Sequence, residues 1–179
     1  MPQFSIRFPK SEVSAWAQRH SDDKEASVLE IGMRSRNAGY YTRDDFWAVC
    51  EWKTRGRPRR HYQRNSEEDI RRATTVALSS ADEETRIRSL TDLHGVLWPT
   101  ASVFLHLAHK EPYPILDVRA LWSLQVKRSH YAFSFWWDYV QACRALAAEC
   151  GVSMHDLDRA LWEYSRHNQP KEKRVSRRG

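Results

Sequence analysis

Apolar side chains along this chain recur every three or four residues, and strict alternation of apolar and polar positions is nearly absent, so the pattern predicts an all-α protein. Ser11 or Ser21 is placed to cap an early helix, the second running through Ala26 to Met33 before Asn37-Ala38-Gly39 breaks the repeat. Thr42 opens the next segment with Asp44 and Asp45 in its first turn, where carboxylates offset the helix dipole; Phe46, Trp47, Val49 and Cys50 form its apolar side. Ser66 with Asp69 three residues later has the form of a capping box, and the helix it starts carries Ile70, Ala73, Val76 and Ala77.

A further amphipathic segment runs from Ala81 to Leu93. A tight turn, Gly95-Val96-Leu97-Trp98-Pro99, leads into a helix from Pro99 or Thr100 to about His109, with proline favoured at a first helical position because its missing donor would be unpaired there. Pro112 and Pro114 enforce an extended link, after which Asp117 starts another helix through Trp122. Phe133 to Cys150 reads as a long helix ended by Gly151, and Ser153 caps a last one to about His167, stopped by Pro170. Residues 1–169 are therefore expected to form one helical domain, with a hairpin at about 81–109, and residues 170–179 a basic disordered tail.

Composition changes this picture in three ways. Eight Trp, seven Tyr and six Phe supply large burial per residue, enough for one sizeable core. The formal charge of +6 is local: Lys53 to Arg64 holds six Lys/Arg and no acid, Lys171 to Gly179 holds five against one acid, and the remainder is net acidic. Such clustering suits attraction of a polyanion, and it is also what a solvated loop and a tail look like. The three cysteines, Cys50, Cys143 and Cys150, show no metal-ligand spacing, and no segment has the length and apolarity of a secretion signal or a bilayer span. A reduced cytoplasmic protein with no membrane partner, no metal and no cofactor is the expectation.

Two helices joined by a turn as short as Gly95 to Pro99 pack on each other and present backbone N–H groups at the start of the second helix, which makes an anion site. Gly95 would let a phosphate approach without a Cβ in the way. Short helical hairpins are equally common in plain helical cores. The residues carry more than this spacing, however. Leu93-His94-Gly95-Val96-Leu97-Trp98-Pro99-Thr100-Ala101-Ser102, then an apolar helix, then Pro114-Ile115-Leu116-Asp117-Val118-Arg119, resembles the heart of the helix-hairpin-helix DNA glycosylase superfamily typified by endonuclease III. There a Leu-Pro-Gly-Val-Gly-x-x-Thr-Ala hairpin precedes a Val-Asp-Thr-His type segment bearing the essential aspartate. A weaker similarity extends over residues 42–125.

The resemblance implies a glycosylase-like helical bundle that binds duplex DNA through Gly95, Val96, Leu97, Trp98 and Thr100, and places Asp117 as the catalytic aspartate. It also sets Lys53, Thr54, Arg55, Arg57, Arg59 and Arg60 in a DNA-facing loop, with Lys53 or Arg55 filling the gap left by an extruded base. Glu51, Trp52 and Arg119 fall where a base pocket would be. Several departures matter. Leu97 replaces the hairpin's second glycine, Pro99 stands where bifunctional members have lysine and cannot form a Schiff base, and iron-sulfur cysteines are missing. The implied activity is excision of an unidentified altered base without strand cleavage, with a non-catalytic DNA-binding or regulatory protein of the same fold as the alternative; RNA or nucleotide binding has no motif.

Each residue also has a plainer role. Asp117 can simply cap the helix that begins at Val118, which would itself keep the carboxylate charged. Trp98 is expected to pack inward, and Trp47, Trp52, Trp122, Trp136, Trp137 and Trp162 to serve as core or pocket wall. His106 and His109 share a helix face with no metal arrangement and are expected at the surface.

Overall fold

The computed structural model describes residues 4–55, 59–127 and 130–170. Among them the secondary structure is helical throughout, as the periodicity predicts: α1 (Val13–Gln18), α2 (Glu25–Ala38), α3 (Arg43–Thr54), α4 (Glu67–Ser79), α5 (Glu83–Thr91), α6 (Trp98–Ala108), α7 (Val118–Ser123), α8 (Phe133–Cys150) and α9 (Met154–Asn168), with short 3-10 turns at Lys10–Glu12 and Arg59–His61. The tail call covering residues 171–179 lies outside the described residues.

Several ends are set by local chemistry. The Thr42 hydroxyl accepts from the Asp45 N–H at 3.3 Å. Ser66 and Asp69 form the reciprocal capping box, Ser66 Oγ accepting from Asp69 N–H at 3.0 Å and Asp69 Oδ2 from Ser66 N–H at 3.3 Å. Ser153 caps α9, and Gly39 and Gly151 end α2 and α8 in the left-handed conformation. Three expectations are corrected. Neither Ser11 nor Ser21 caps a helix; the first turn begins after Pro9, and ahead of α2 the Asp22 carboxylate accepts from the Lys24 N–H at 2.9 Å. α5 starts two residues later than its apolar pattern suggests, because Asp82 caps it through Thr85 N–H. Trp98 takes the first position of α6 and Pro99 the second.

The helix α6 is apolar on nearly every side and is buried from Thr100 to Leu105, with α2, α3, α4 and α5 packed around it. Against its later turns, α2 crosses so closely that a Cβ on Gly32 would stand 2.5 Å from the Leu107 carbonyl oxygen. Arg36 of α2 then supplies donors to the free end of α6, its Nε reaching Ala108 O and its Nη2 His109 O, both at 3.0 Å. The helices α1, α7 and α8 pack on α9, and buried residues from Phe8 to Leu161 form one continuous core.

Gly32→Ala is expected to destabilise the fold by about 2 kcal/mol through overpacking, although the same change stabilises an isolated helix. Thermal unfolding would show a midpoint lower by roughly 4–8 °C; an unchanged or raised midpoint would mean that the α2 and α6 backbones are free to separate.

Candidate active site

The extended residues between Pro114 and α7 carry the site, and three helices fix them. Ser102 Oγ of α6 accepts from Leu116 N–H at 2.8 Å, Tyr139 of α8 donates to Ile115 O at 2.8 Å, and Asp158 Oδ1 of α9 accepts from Ile115 N–H at 3.1 Å. With those backbone groups committed, Asp117 is held at the N-cap of α7 and its Oδ1 accepts from Arg119 N–H at 2.9 Å. The capping role is therefore real. The second oxygen is used differently: Oδ2 accepts from Lys53 Nζ at 2.8 Å, and the two side chains are only 23% and 12% exposed.

Burial alone would push the Asp117 carboxyl up, but the Lys53 ammonium, its hydrogen bond and the Arg119 N–H together hold it below the usual aspartate range. Asp158 has the opposite balance. Burial is the largest influence and the Asp117 charge adds to it, outweighing Lys53 and the Ile115 N–H, so this carboxyl is pushed up to about 7. One small space thus contains an ionised carboxylate, an ammonium and a carboxyl that titrates near neutrality.

That space is a cavity of about 100 Å³ walled by Trp52 and Trp162, with Lys53, Asp117 and Asp158 on it and His106, His155 and Arg159 among its polar lining. Below, Arg159 Nη2 pairs with the buried Glu25 Oε2 at 2.6 Å. Burial pushes both His106 and His155 down to about 4, leaving them neutral. His106 Nδ1 then donates to Tyr113 O at 2.7 Å, and its Nε2 accepts from His155 Nδ1 at 3.1 Å, which assigns both tautomers. The cavity shares Trp52, Arg55 and Trp162 with a wider groove of about 970 Å³ that also takes in Glu51, Arg119 and Arg166. There the guanidinium groups of Arg119, Arg55 and Arg166 lie 5.1, 5.6 and 5.7 Å from the Trp162 ring centre.

Of the residues singled out from sequence, the structure brings Asp117, Lys53, Trp52, Arg55, Arg119 and Glu51 together around this space. Lys53 and Thr54 are not in a loop: both belong to α3, Lys53 turns into the cavity, and the Thr54 hydroxyl donates to Cys50 O at 2.7 Å. Lys53 is thereby engaged in the pocket and not free to press into a duplex. Arg55 ends the helix in the left-handed conformation. Arg57 and the Arg59 side chain lie outside the described residues. Arg60 is exposed and, with Arg64, His94 and Gly95, lines a separate recess of about 400 Å³ beside the hairpin.

The hairpin itself differs in detail from the expectation. Gly95 has φ +81°, and its missing Cβ leaves room for the His61 carbonyl oxygen, 2.5 Å from where that atom would be; protein backbone takes the approach expected of a phosphate. Val96 is buried and its N–H donates to Leu93 O at 3.1 Å, while the Thr100 N–H donates to Leu97 O at 2.8 Å, so neither amide is open to an anion. The Gly95 and Leu97 amides have no partner among the described residues, and the Leu97 side chain is 60% exposed. Trp98 packs inward, 6.2 Å from Trp136. His109 is buried, and His106 lines the cavity, so the surface assignment of both fails: α6 is enclosed at that end as well.

Sequence reasoning missed Asp158, His20, Glu25, His155 and Arg159. For Asp158 a signal existed: it lies on the stripe of α9 defined by Met154, Leu161 and Ser165, all buried, where a carboxylate is out of place unless it is used. Among the described residues no cluster of His, Cys, Asp and Glu could hold a metal ion, and no helix is long and apolar enough to cross a membrane. All three cysteines are free thiols.

Asp158 binds its proton more tightly folded, near 7, than unfolded, near 4, so folding takes up a proton in between and stability falls as pH rises through that window. Asp158→Asn keeps an acceptor for Ile115 and removes the charge. It is expected to raise stability at pH 8 by on the order of 1–3 kcal/mol and to leave it unchanged near pH 4, as read by urea unfolding at the two pH values. Equal effects at both would show that Asp158 does not titrate near neutrality.

No family model, curated protein or solved structure matches this chain, so its functional reading rests on the residues of the site.

Proposed function

We propose that this protein is a monofunctional DNA glycosylase-like enzyme of the helix-hairpin-helix kind, which binds duplex DNA and hydrolyses the N-glycosidic bond of an extruded, altered base with Asp117. The observation that carries this reading is an ionised aspartate held at the wall of an aromatic-sided cavity, 64 residues in sequence from the lysine that keeps it charged. A glycosidic bond to a base breaks through a cation-like sugar, and a fixed carboxylate beside C1′ stabilises that charge and orients the attacking water.

The surroundings suit the same substrate. A base taken out of the stack needs flat walls, which Trp52 and Trp162 provide, and its flanking phosphates need cations, which Arg55, Arg119 and Arg166 provide at the groove. On the hairpin side, Arg60 and Arg64 line a recess with Gly95, whose amide has no partner among the described residues, and this would make a second contact for the backbone. Pro99 removes the hairpin amine, so strand cleavage through that position is excluded. The free thiols of Cys50, Cys143 and Cys150 suit a reducing, cytoplasmic setting. Two observations favour the alternative of a non-catalytic DNA-binding protein: the Asp117 oxygen left over from capping is taken by Lys53, and Leu97 stands where the hairpin's second glycine would allow close backbone approach.

Duplexes carrying uracil, hypoxanthine, 7-methylguanine, 8-oxoguanine or a bulky 5-modified cytosine distinguish the two. Release of at least one base is expected, reduced about 100-fold or more in Asp117→Asn, with affinity for a duplex containing a tetrahydrofuran abasic analogue retained and falling steeply with salt. Binding without release from any of the five would leave the non-catalytic reading; absence of salt-dependent binding would remove both.

A further inference from the structure

The cavity holds a second carboxyl group that the proposed chemistry has not yet used. Asp158 reaches it from α9 and Lys53 from α3, and both Asp158 and Asp117 are tied to the same three residues of backbone: Asp158 accepts from Ile115 N–H, and Asp117 follows two residues later. Only one Asp158 oxygen is occupied in this way. The other has no hydrogen-bond partner among the described residues, on a side chain that lines the cavity. Anchoring Ile115 would account for one oxygen, and an amide would do it as well as an acid.

We propose that Asp158 is the proton donor to the departing base, acting opposite the ionised Asp117 that faces the sugar. The assignment rests on the glycosylase reading above and adds a residue to it. The step balances as a hydrolysis. The C1′–N bond breaks with its electron pair going to the base nitrogen, the Asp158 proton passes to the base, water forms the new C1′–O bond, and its surplus proton goes to the Asp117 carboxylate. Exchange with solvent then restores both carboxyl groups. Two carboxyl groups whose environments drive them to opposite protonation states are the arrangement such a division of labour requires.

The charged groups around Asp158 explain why it can serve. Asp117 at the start of α7 disfavours a second negative charge in the cavity, Lys53 of α3 and His20 from the segment after α1 favour it, Glu25 of α2 and Arg159 of α9 are paired with each other, His106 and His155 are neutral, and Asp22 and Arg55 complete the charged lining. With burial added, the balance leaves the carboxyl half protonated near pH 7. Bases that depart as anions should therefore be released fastest below neutrality and progressively more slowly as pH rises through about 7.

The test uses single-turnover release from the five duplexes above between pH 5.5 and 8.5, with wild type, Asp158→Asn, Asp158→Glu and Asp117→Asn. Uracil, hypoxanthine, 8-oxoguanine and modified cytosine leave as anions unless protonated, whereas 7-methylguanine is already cationic and leaves neutral. The expected result is a loss of about 100-fold for any neutral base in Asp158→Asn, disappearance of the pH dependence near 7, partial recovery in Asp158→Glu, and no comparable loss for 7-methylguanine. Affinity for the tetrahydrofuran duplex should be unchanged, which separates a lost proton donor from a disturbed fold. Wild-type rates for neutral bases in Asp158→Asn, equal losses for neutral and cationic bases, activity confined to 7-methylguanine, or loss of tetrahydrofuran binding would each overturn the Asp158 assignment while leaving Asp117 standing. No release from any duplex by wild type would overturn both.

Discussion

The cavity depends on how two residues of extended backbone, Ile115 and Leu116, are held. Isolated strands inside a helical protein leave N–H and C=O groups unpaired, and a buried unpaired group costs about 1–3 kcal/mol. Here Ser102, Tyr139 and Asp158 satisfy them from three different helices. The segment cannot move without breaking bonds to α6, α8 and α9 together, so Asp117 is presented to Lys53 in one geometry. An ion pair in a half-buried site gains from its Coulomb attraction only when such geometry is already fixed, because desolvation of both charges opposes it. The backbone bonds precede the ion pair in the logic of the structure.

The rigidity behind this comes from α6. A helix that is apolar on nearly every side is buried by its neighbours, and its few polar groups are then expensive unless each has a task. Ser102 anchors Leu116, and His106 lines the cavity with its ring nitrogens engaged by Tyr113 O and His155. Neighbouring backbones come close enough to exclude a single methyl group at Gly32 and at Gly95, where the contacts are Leu107 and His61 carbonyl oxygens. Glycine at the hairpin is therefore first a packing residue. The recess beside it is lined by Arg60, Arg64 and His94, and the Gly95 amide has no hydrogen-bond partner among the described residues.

Charge is divided between the groove and the cavity. Arg119, Arg55 and Arg166 lie near Trp162 in the groove, while the cavity is lined by the Lys53–Asp117 pair, by Glu25 paired with Arg159, and by two neutral histidines. Within that one cavity the same side-chain type meets different fates. Asp117 has an ammonium and an amide donor and stays ionised. Asp158 has one amide donor and a negative neighbour and holds its proton to neutrality. That separation leaves one carboxylate ionised and one carboxyl protonated to near neutrality within a single cavity.

What the amino-acid sequence determined by itself was local: helix type from the spacing of apolar residues, ends at Thr42, Ser66, Gly39, Gly151 and Ser153, and Asp117 at a helix start, because caps and periodicity act over a few residues. Only the tertiary structure decided that Lys53 leaves the basic run to meet Asp117, that His106 and His109 are enclosed, and that Asp158 joins the cavity from α9. Those relations link residues tens of positions apart: periodicity can place Asp158 on the buried face of α9, but not say which residues of other helices that face meets. They exist because one buried helix sets the positions of the others, and burial together with the nearest charge then decides what each group does.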